Sequence, residues 1–491
     1  MTDFLRAGKL WLIDRDFWQI LALFAMGSFV LVSLFFGQNF WIYSAVLFIC
    51  FVSILFAPEA GLSVALVATM WFERHFTLQP LVWGDFSYKI YPLDFILLFT
   101  AFSVGARLIS GELKFAWRKF DLPILIFGAV CVFGLIWSLV IGSDMDLAFS
   151  TFKNYFVYVI VYFLAAMILR RESDWKNLLR WLAFGGVGIS FFLFYGLIAG
   201  QGLWSEFTPL STSGARLIAG THVFYLTLFG FGLVAALLWP NGWDVLKKKI
   251  ESGWLGLTLA LVGLALIVSL VRHLWLALIL IFIVWIFFST ADIRRRLWAI
   301  AGRGLLATAA AFVIFLWGHA LLVGGLPASF DKVVHVLSER ASVINIISLR
   351  DESFRWRMAA WRAGLNLWTN SPVFGIGLGR LVIGADETYV FEIPMRDLHN
   401  NYLGILIQLG LLGAAAVIGW FIYLLAACRR LWRAVRDRGD FSTVMAFTGV
   451  SVILLFMVVF SVSVYWDINL FIIWWWLALA GLRWLYVKEK V

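Results

Sequence analysis

The sequence predicts an all-α fold, a polytopic transmembrane helical bundle of about 12–14 spans with one long loop outside the membrane. Three observations predict it. The 491-residue chain is 63% hydrophobic and 14% charged, whereas a soluble protein carries about a quarter charged residues. Apolar runs near the roughly 20 residues that cross a bilayer recur from end to end. Lys and Arg gather in alternate connections between those runs, as positive-inside topology requires. The 27 Trp and 47 Phe suit lipid-facing surface and interfacial belts.

The runs fall at 17–36, 40–57, 59–72, 92–110, 122–141, 151–169, 181–199, 221–239, 254–271, 274–290, 304–325, 402–426, 442–463 and 468–487. The first is not followed by the small-residue cleavage site of a signal peptide, so it is expected to stay as a membrane helix. The run 59–72 is short enough to be re-entrant. The stretch 254–290 is too long for one crossing at about 1.5 Å per residue and must turn near Arg272-His273. With both termini inside, the inner connections collect Lys114, Arg118, Lys119, Arg170, Arg171, Lys176, Lys247–Lys249, Arg294–Arg296 and the run from Arg429 to Arg438. The short outer connections keep Arg74, Lys89, Lys153, Arg216 and Arg272. The expected division is 1–325, N-terminal membrane helices; 326–401, an outer loop; and 402–491, C-terminal membrane helices.

Most of the +10 net charge is thus a topology signal. Its distribution excludes nucleic acid as a partner and leaves the lipid bilayer. The outer loop carries cations of its own from Lys332 to Arg396, which is allowed because long loops translocate regardless of charge. Cys50, Cys131 and Cys428 lie in or beside apolar runs, far apart, and suggest neither a disulfide framework nor a metal site. The six histidines show no ligand spacing, so no metal and no cofactor is expected. No internal repeat of the kind that marks many transporters is visible.

Within the loop, 351–369 has a helical period. At about 100° per residue Arg357 shares a face with Trp361, Gly364, Leu365 and Trp368, while Arg355, Arg362 and Asn366 lie opposite. This is the pattern of a helix in the membrane interface. A guanidinium on its apolar side is costly unless it meets an anion or a wet cavity. Two readings stand level: a functional arginine, or one that pairs with Asp351 or Glu352 or snorkels to water. Asn370-Ser371-Pro372 stops the helix, and Gly375, Gly377 and Gly379 follow. No strand precedes them, so they are no dinucleotide fingerprint; a tight turn packed on a neighbour is favoured over a phosphate cradle. His399-Asn400-Asn401 precedes the run 402–426. An Asn there can cap a helix. A lone His at a membrane edge is often only interfacial, yet imidazole is the side chain best matched to accept a proton near neutral pH. Arg216 and Arg272 add two cations at the same outer face, where a single arginine usually meets a lipid headgroup.

Taken together, Arg357-x3-Trp361-x10-Pro372-x2-Gly375-x-Gly377, then His399-Asn400 and Gly410-Leu411-Leu412-Gly413, resembles the O-antigen ligase and polymerase superfamily. The match is strong over about 60 residues and elsewhere rests on the span pattern and Arg272. The resemblance implies a GT-C-like membrane glycosyltransferase of the bacterial inner membrane, with cytoplasmic termini and a periplasmic active site. It implies transfer of a glycan from undecaprenyl pyrophosphate to an acceptor hydroxyl. The acceptor would be lipid A-core in a ligase, or a second lipid-linked repeat in a polymerase. Carried over by position, Arg357 and Arg272 would hold the pyrophosphate and His399 would be the base, with Arg216, Arg355, Trp361 and Asn400 contacting substrate. The family often has Ser where Val271 stands, and a Pro-Asn pair where Thr221-His222 stand.

The chemistry fits that division. A polyprenyl pyrophosphate is already a good leaving group, so neutralising its developing charge matters more than protonating it, and arginine does so bidentately. The acceptor hydroxyl needs a base. A lipid-glycan flippase or transporter is the competing class, but such proteins keep ionisable groups near mid-membrane, and here the span centres are almost free of charge. A scaffold whose loop merely binds a partner would leave the motif spacing unexplained.

Overall fold

The computed structural model describes residues 15–37, 39–83, 86–88, 90–199, 218–242, 254–269, 271–323, 352–385 and 390–491. Among these residues ten helical stretches are long and apolar enough to cross a membrane, one of them the interrupted stretch Met145–Ile168, and four shorter apolar helices accompany them. Each corresponds to one of the apolar runs in the sequence. The chain is an all-α, polytopic helical bundle.

In chain order the helices begin with α1 (Arg15–Phe36), α2 (Phe40–Phe56), α3 (Pro58–Phe72), α4 (Pro92–Ile109), α5 (Leu122–Val140), α6 (Met145–Tyr155), α7 (Ile160–Ile168) and α8 (Glu172–Ala199). They continue with α9 (Gly220–Leu238), α10 (Trp254–Val268), α11 (Arg272–Phe288), α12 (Ala291–Val323), α13 (Glu352–Trp368), α14 (Asn401–Val435), α15 (Phe441–Val459) and α16 (Asn469–Lys488). Two antiparallel hairpins interrupt them, β1 (Leu81–Trp83) with β2 (Phe86–Tyr88), and β3 (Leu381–Ala385) with β4 (Val390–Pro394). Local chemistry sets many of the starts. Asn39 accepts from the amides of Trp41 and Ile42 to cap α2, and Pro58 and Pro92 sit at the first helical positions of α3 and α4.

The chain divides into two compact units. The first comprises Met1–Trp117 and Val159–Ser190. Its centre is α3, buried along nearly its whole length. At 15 residues α3 is roughly 22 Å long, short of the ~30 Å hydrocarbon core. Gly61 lets it close on α4, since a Cβ there would fall 1.8 Å from Thr100 Oγ1. Buried Gln19 joins three helices of this unit. Its amide donates to Ser63 Oγ at 3.0 Å, and its carbonyl accepts from the Trp181 indole at 2.7 Å and the Asn177 amide at 3.3 Å.

The second unit comprises Arg118–Tyr158 and Phe191–Val491. Helix α14 packs against α5, α13, α15 and α16, while α9 packs on α10 and α15, and α10 on α12. Trp420 and Trp476 stack with ring centroids 5.7 Å apart, and Trp466, Trp475 and Trp476 are fully buried. The helix ends sort to two opposite ends of the unit. At one, Arg483 donates through Nε and Nη2 to the two carboxylate oxygens of Asp121 at 2.7 and 3.2 Å. Arg296 donates to Leu238 O at 3.1 Å and the Trp432 indole to Phe288 O at 3.2 Å. At the other, Asn401 N donates to Phe460 O at 2.8 Å and Tyr225 Oη to Leu470 O at 3.1 Å. Arg294–Arg296 and Arg429–Arg438 therefore belong to one end, and Arg272 and His399 to the other, which is the alternation read from the charges.

Three features differ from the sequence reading. The run 151–169 is not one helix. Asp144 caps α6 by accepting from Leu147 N at 3.0 Å, so the helix starts earlier. It stops at Tyr155 because Asn154 and Tyr155 are taken by the turn after α15, through Asp467 O and the Trp466 indole. The helix preceding residue 324 begins at Ala291, well before the apolar run. The loop 326–401, expected to contain interfacial helices, also contains the β3–β4 hairpin, with Leu381 facing Pro394. Val382, Ile383, Val390 and Ile393 are β-branched and favour that hairpin over helix.

Asp121 is 0% and Arg483 8% exposed, so Asp121→Ala would strand a buried guanidinium. The expected cost is about 3–5 kcal/mol, read as a lower thermal unfolding midpoint of the purified protein. A midpoint equal to wild type would show that Arg483 finds another partner.

Candidate functional site

The site is built on a broken helix. Gly410 lies within α14 at φ 67° and ψ −164°, a left-handed conformation that splits α14 into a short first segment and a long second one. In an unbroken helix Leu411 N would bond Ile407 O, and Leu412 N would bond Gln408 O. The chain from Pro372 to Gly377 takes all four groups instead. Leu411 N donates to Pro372 O at 2.9 Å and Leu412 N to Val373 O at 3.2 Å. Ile376 N donates to Ile407 O at 3.0 Å and Gly377 N to Gln408 O at 3.1 Å. Such a break is tolerated at membrane depth only where protein covers the freed groups, and here the loop does so.

The glycines of the motif serve this contact. Gly375, Gly377 and Gly379 all have positive φ. A Cβ on Gly375 would lie 2.3 Å from Gln408 O, and one on Gly410 would lie 2.2 Å from Val373 O. The loop then docks on the end of α5. Gly375 O accepts from the Trp137 indole at 3.1 Å, Ser138 Oγ accepts from Leu378 N at 2.6 Å, and Arg380 donates to Ile141 O at 2.9 Å. Packing on a neighbour, rather than a cradle for phosphate, accounts for these glycines.

Helix α13 lies across the first segment of α14. Ala360, Val382, Met395, Leu398 and Ile407 form one buried cluster, against which Trp361, Leu367 and Leu403 pack. Gly364 makes the approach close, because a Cβ there would sit 2.7 Å from Ile407 Cδ1. Arg355, Arg362 and Asn366 are exposed, as the helical period requires. Arg357 is half-buried.

The turn after β4 carries His399 in the left-handed region, φ 55° and ψ 29°, where His is among the tolerated residues. Its imidazole packs edge-on against Trp356, with centroids 6.0 Å apart at 75°. Burial, and then the Arg357 guanidinium, push the His399 pKa down to about 4. The ring is therefore neutral at physiological pH. The next two residues fix it. Asn400 caps α14 by accepting from Leu403 N at 3.1 Å, and buried Asn401 accepts from Trp466 N at 3.1 Å and donates to Asp467.

Arg272 is the first residue of α11. Its turn is closed by Ser269 Oγ accepting from Val271 N at 3.3 Å and by the Trp275 indole donating to Leu266 O at 2.8 Å. The neighbouring His273 Nε2 shares a 2.8 Å hydrogen bond with Tyr465 Oη. Tyr465 and Trp466 are consecutive, so Arg272 and His399 are both tied to one short turn at one end of the unit.

Of the residues singled out from sequence, Arg357 and His399 come together, and Arg272 lies at the same end. Trp361 donates its indole N–H to Leu398 O at 2.7 Å, which positions the His399 turn. Asn400 acts as a helix cap. Arg355 is exposed on the face of α13 away from Arg357. Arg216 lies outside the described residues. Trp356, His273, Tyr465 and Asn401 have no site role in the sequence reading, which names Asn401 only beside His399-Asn400 and His273 only at the turn with Arg272. Trp356 adjoins Arg357 and Asn401 adjoins Asn400, but no local pattern shows that residues around 465 reach this site.

The geometry defines a multi-pass membrane protein with cations and a neutral imidazole gathered at one end of a helical unit. The family model described as O-antigen ligase matches residues 257–418, a stretch that holds Arg272, Arg357, His399 and Gly410. The match places this stretch in the O-antigen ligase family, a family of glycosyltransferase-like ligases and polymerases, and it covers about a third of the chain. No curated protein matches the chain.

Gly375→Ala combines a left-handed residue with backbone contact, and is expected to lose about 2 kcal/mol or more. Gly419 is helical, and a Cβ added there would meet nothing within 4 Å, so it serves as the control; Gly419→Ala is expected to be neutral or stabilising by up to ~1 kcal/mol. Thermal unfolding of both purified variants decides, and equal midpoints would remove the broken helix from its structural role.

Proposed function

We propose that this protein transfers a glycan from undecaprenyl pyrophosphate to an acceptor hydroxyl, at the periplasmic face of a bacterial inner membrane, with lipid A-core as the acceptor. The observation that carries this reading is the neutral, half-buried His399 beside Arg357, with Arg272 at the same end of the same unit. All three lie in the stretch matched by the O-antigen ligase family.

In this reading Arg357 and Arg272 hold the diphosphate. Arg272 stands at the start of α11, where the helix N-terminus also favours an anion. The acceptor oxygen attacks the anomeric carbon in line, and the bond from that carbon to the phosphate oxygen breaks with inversion. The electron pair leaves on the lipid diphosphate, whose charge the guanidiniums stabilise. The hydroxyl proton passes to His399.

The depressed pKa of His399 has a direct consequence. Unliganded, the ring stays free of a proton down to about pH 4, but it is correspondingly a weak base. A bound diphosphate offsets the Arg357 charge and raises the imidazole pKa, so the base strengthens when the donor arrives. Activity lost by protonating the base should therefore fall away near pH 4 in kcat/KM, not near the ordinary histidine value of about 6.5. The acid limb of kcat should lie higher, because it reports the donor complex. Arg357→Gln should move the kcat/KM limb upward only part of the way, since burial is the larger cause. A wild-type kcat/KM limb at about 6.5 would contradict a buried base.

Arg357→Ala and Arg272→Ala should each lower turnover by about 10²–10³-fold. His399→Asn keeps a residue that accepts left-handed backbone but cannot take the proton, and should lower kcat more than donor affinity. The assay offers purified protein a lipid-linked O-antigen repeat with either lipid A-core or a second lipid-linked repeat. Transfer to lipid A-core is the expected product, and elongation of the lipid-linked repeat would make the protein a polymerase. Near-normal transfer by a folded Arg357→Ala or Arg272→Ala variant removes that arginine from the clamp.

A further inference from the structure

Between Arg272 and His399 runs an unbroken series of covalent and hydrogen-bonded steps. His273, next to Arg272, bonds Tyr465 Oη at 2.8 Å. Trp466, next to Tyr465, donates its backbone N–H to Asn401 Oδ1 at 3.1 Å. Asn401 is two residues from His399, and its own N–H is held by Phe460 O at 2.8 Å. Asn401, Tyr465 and Trp466 are buried, so none of these links is loosened by exposure to water. The series connects three helix ends that local sequence leaves independent: the starts of α11 and α14 and the turn between α15 and α16.

Only one link in it joins two side chains through a group that can be removed without altering shape. The Tyr465 ring is packed on its own account, with its centroid 4.2 Å from that of Phe471 and 5.0 Å from that of Phe224. It also meets the His273 ring edge-on, at 5.6 Å and 76°. Aromatic packing therefore holds the ring in place, and the hydroxyl serves to orient His273. Helix α11 packs along α15, so a slip or rotation of its first turn is the motion that this bond opposes.

We propose that His273 and Tyr465 are positioning residues that set the placement of Arg272 relative to His399, without contacting substrate. This rests on the reading of Arg272 as a diphosphate clamp and of His399 as base. A displacement of about 1 Å between a clamp and a base can cost up to 10²-fold in rate while leaving binding largely intact. The signature of the pair is then a loss in kcat that is shared, not summed, when both members are removed.

The test uses the full-length protein with lipid-linked O-antigen repeat as donor and lipid A-core as acceptor, and separately measures affinity for geranyl pyrophosphate as a diphosphate probe. Tyr465→Phe and His273→Leu should each lower kcat by ~10-fold or more, with probe affinity within about twofold of wild type. The double variant should be no slower than the worse single variant, because both remove one bond. His273→Gln, which can present an N–H near the position of Nε2, should recover most of the rate in the Tyr465 background. Losses that multiply in the double variant, or single variants with wild-type kcat, overturn the proposal. So does a fall in thermal midpoint that tracks the fall in rate, which would assign the pair to stability. Arg272→Ala and His399→Asn run alongside: full activity in those two sinks the clamp-and-base reading itself, whereas their loss with an unaffected Tyr465→Phe sinks only the tie.

Discussion

The arrangement of this site depends on one backbone exchange, the passage of Pro372–Gly377 across the break in α14 at Gly410. A helix that loses two internal hydrogen bonds exposes two amides and two carbonyls, each costly to leave unpaired away from water. Four hydrogen bonds from the loop answer all four groups. The exchange also stops α13, because the same segment must turn sharply after Trp368 to reach α14. The short first segment of α14 thus becomes a platform, with His399 at its start and α13 packed on its side through Ala360, Gly364 and Ile407. Arg357 and His399 are brought together by a contact that involves neither of them.

That platform explains how a histidine at the edge of a membrane protein becomes a half-buried, neutral one. Left-handed backbone at His399 turns its ring away from the path of α14 and towards Trp356. The Leu398 carbonyl is held by the Trp361 indole, and Asn400 and Asn401 anchor the following residues. Three neighbouring residues thus have three different settings: Asn400 caps the helix, Asn401 ties it to the next turn, and the His399 ring packs on Trp356 beside Arg357. The nearby guanidinium and the burial act in the same direction on the imidazole, and both are properties of the assembled platform rather than of the histidine's sequence neighbours.

The legible part of this structure was whatever has a period or a local signal. Among the described residues each of the fourteen apolar helical stretches overlaps an apolar run, although the run 151–169 is broken after Tyr155 and the helix of the run 304–325 starts at Ala291. The period of α13 placed Arg355, Arg362 and Asn366 outward and Arg357 inward. Pro372 marked the end of α13 correctly. What stayed hidden has a non-local cause. The stop at Tyr155 is imposed by residues 466 and 467, more than three hundred positions away. Gly410 looked like an ordinary glycine in an apolar helix, and only the loop that bonds across it shows why a break is stable there. The β3–β4 hairpin was readable from its β-branched residues, but the strong helical context of the chain masked it.

The same end of the second unit has a further electrostatic property that follows from topology alone. Helices α11, α14 and α16 all begin there, at Arg272, Asn401 and Asn469, and each helix start carries a partial positive charge that decays within about one turn. The starts of α11 and α14 are linked through the Tyr465–Trp466 turn that precedes α16, so all three lie at the same end. Arg272 and Arg357 add full charges at this end, while the imidazole beside Arg357 stays neutral instead of adding another cation. An anion at a helix start meets a field that the backbone has already assembled. A neutral or cationic ligand would gain nothing from helix starts and guanidiniums, so the charge of this end favours an anion.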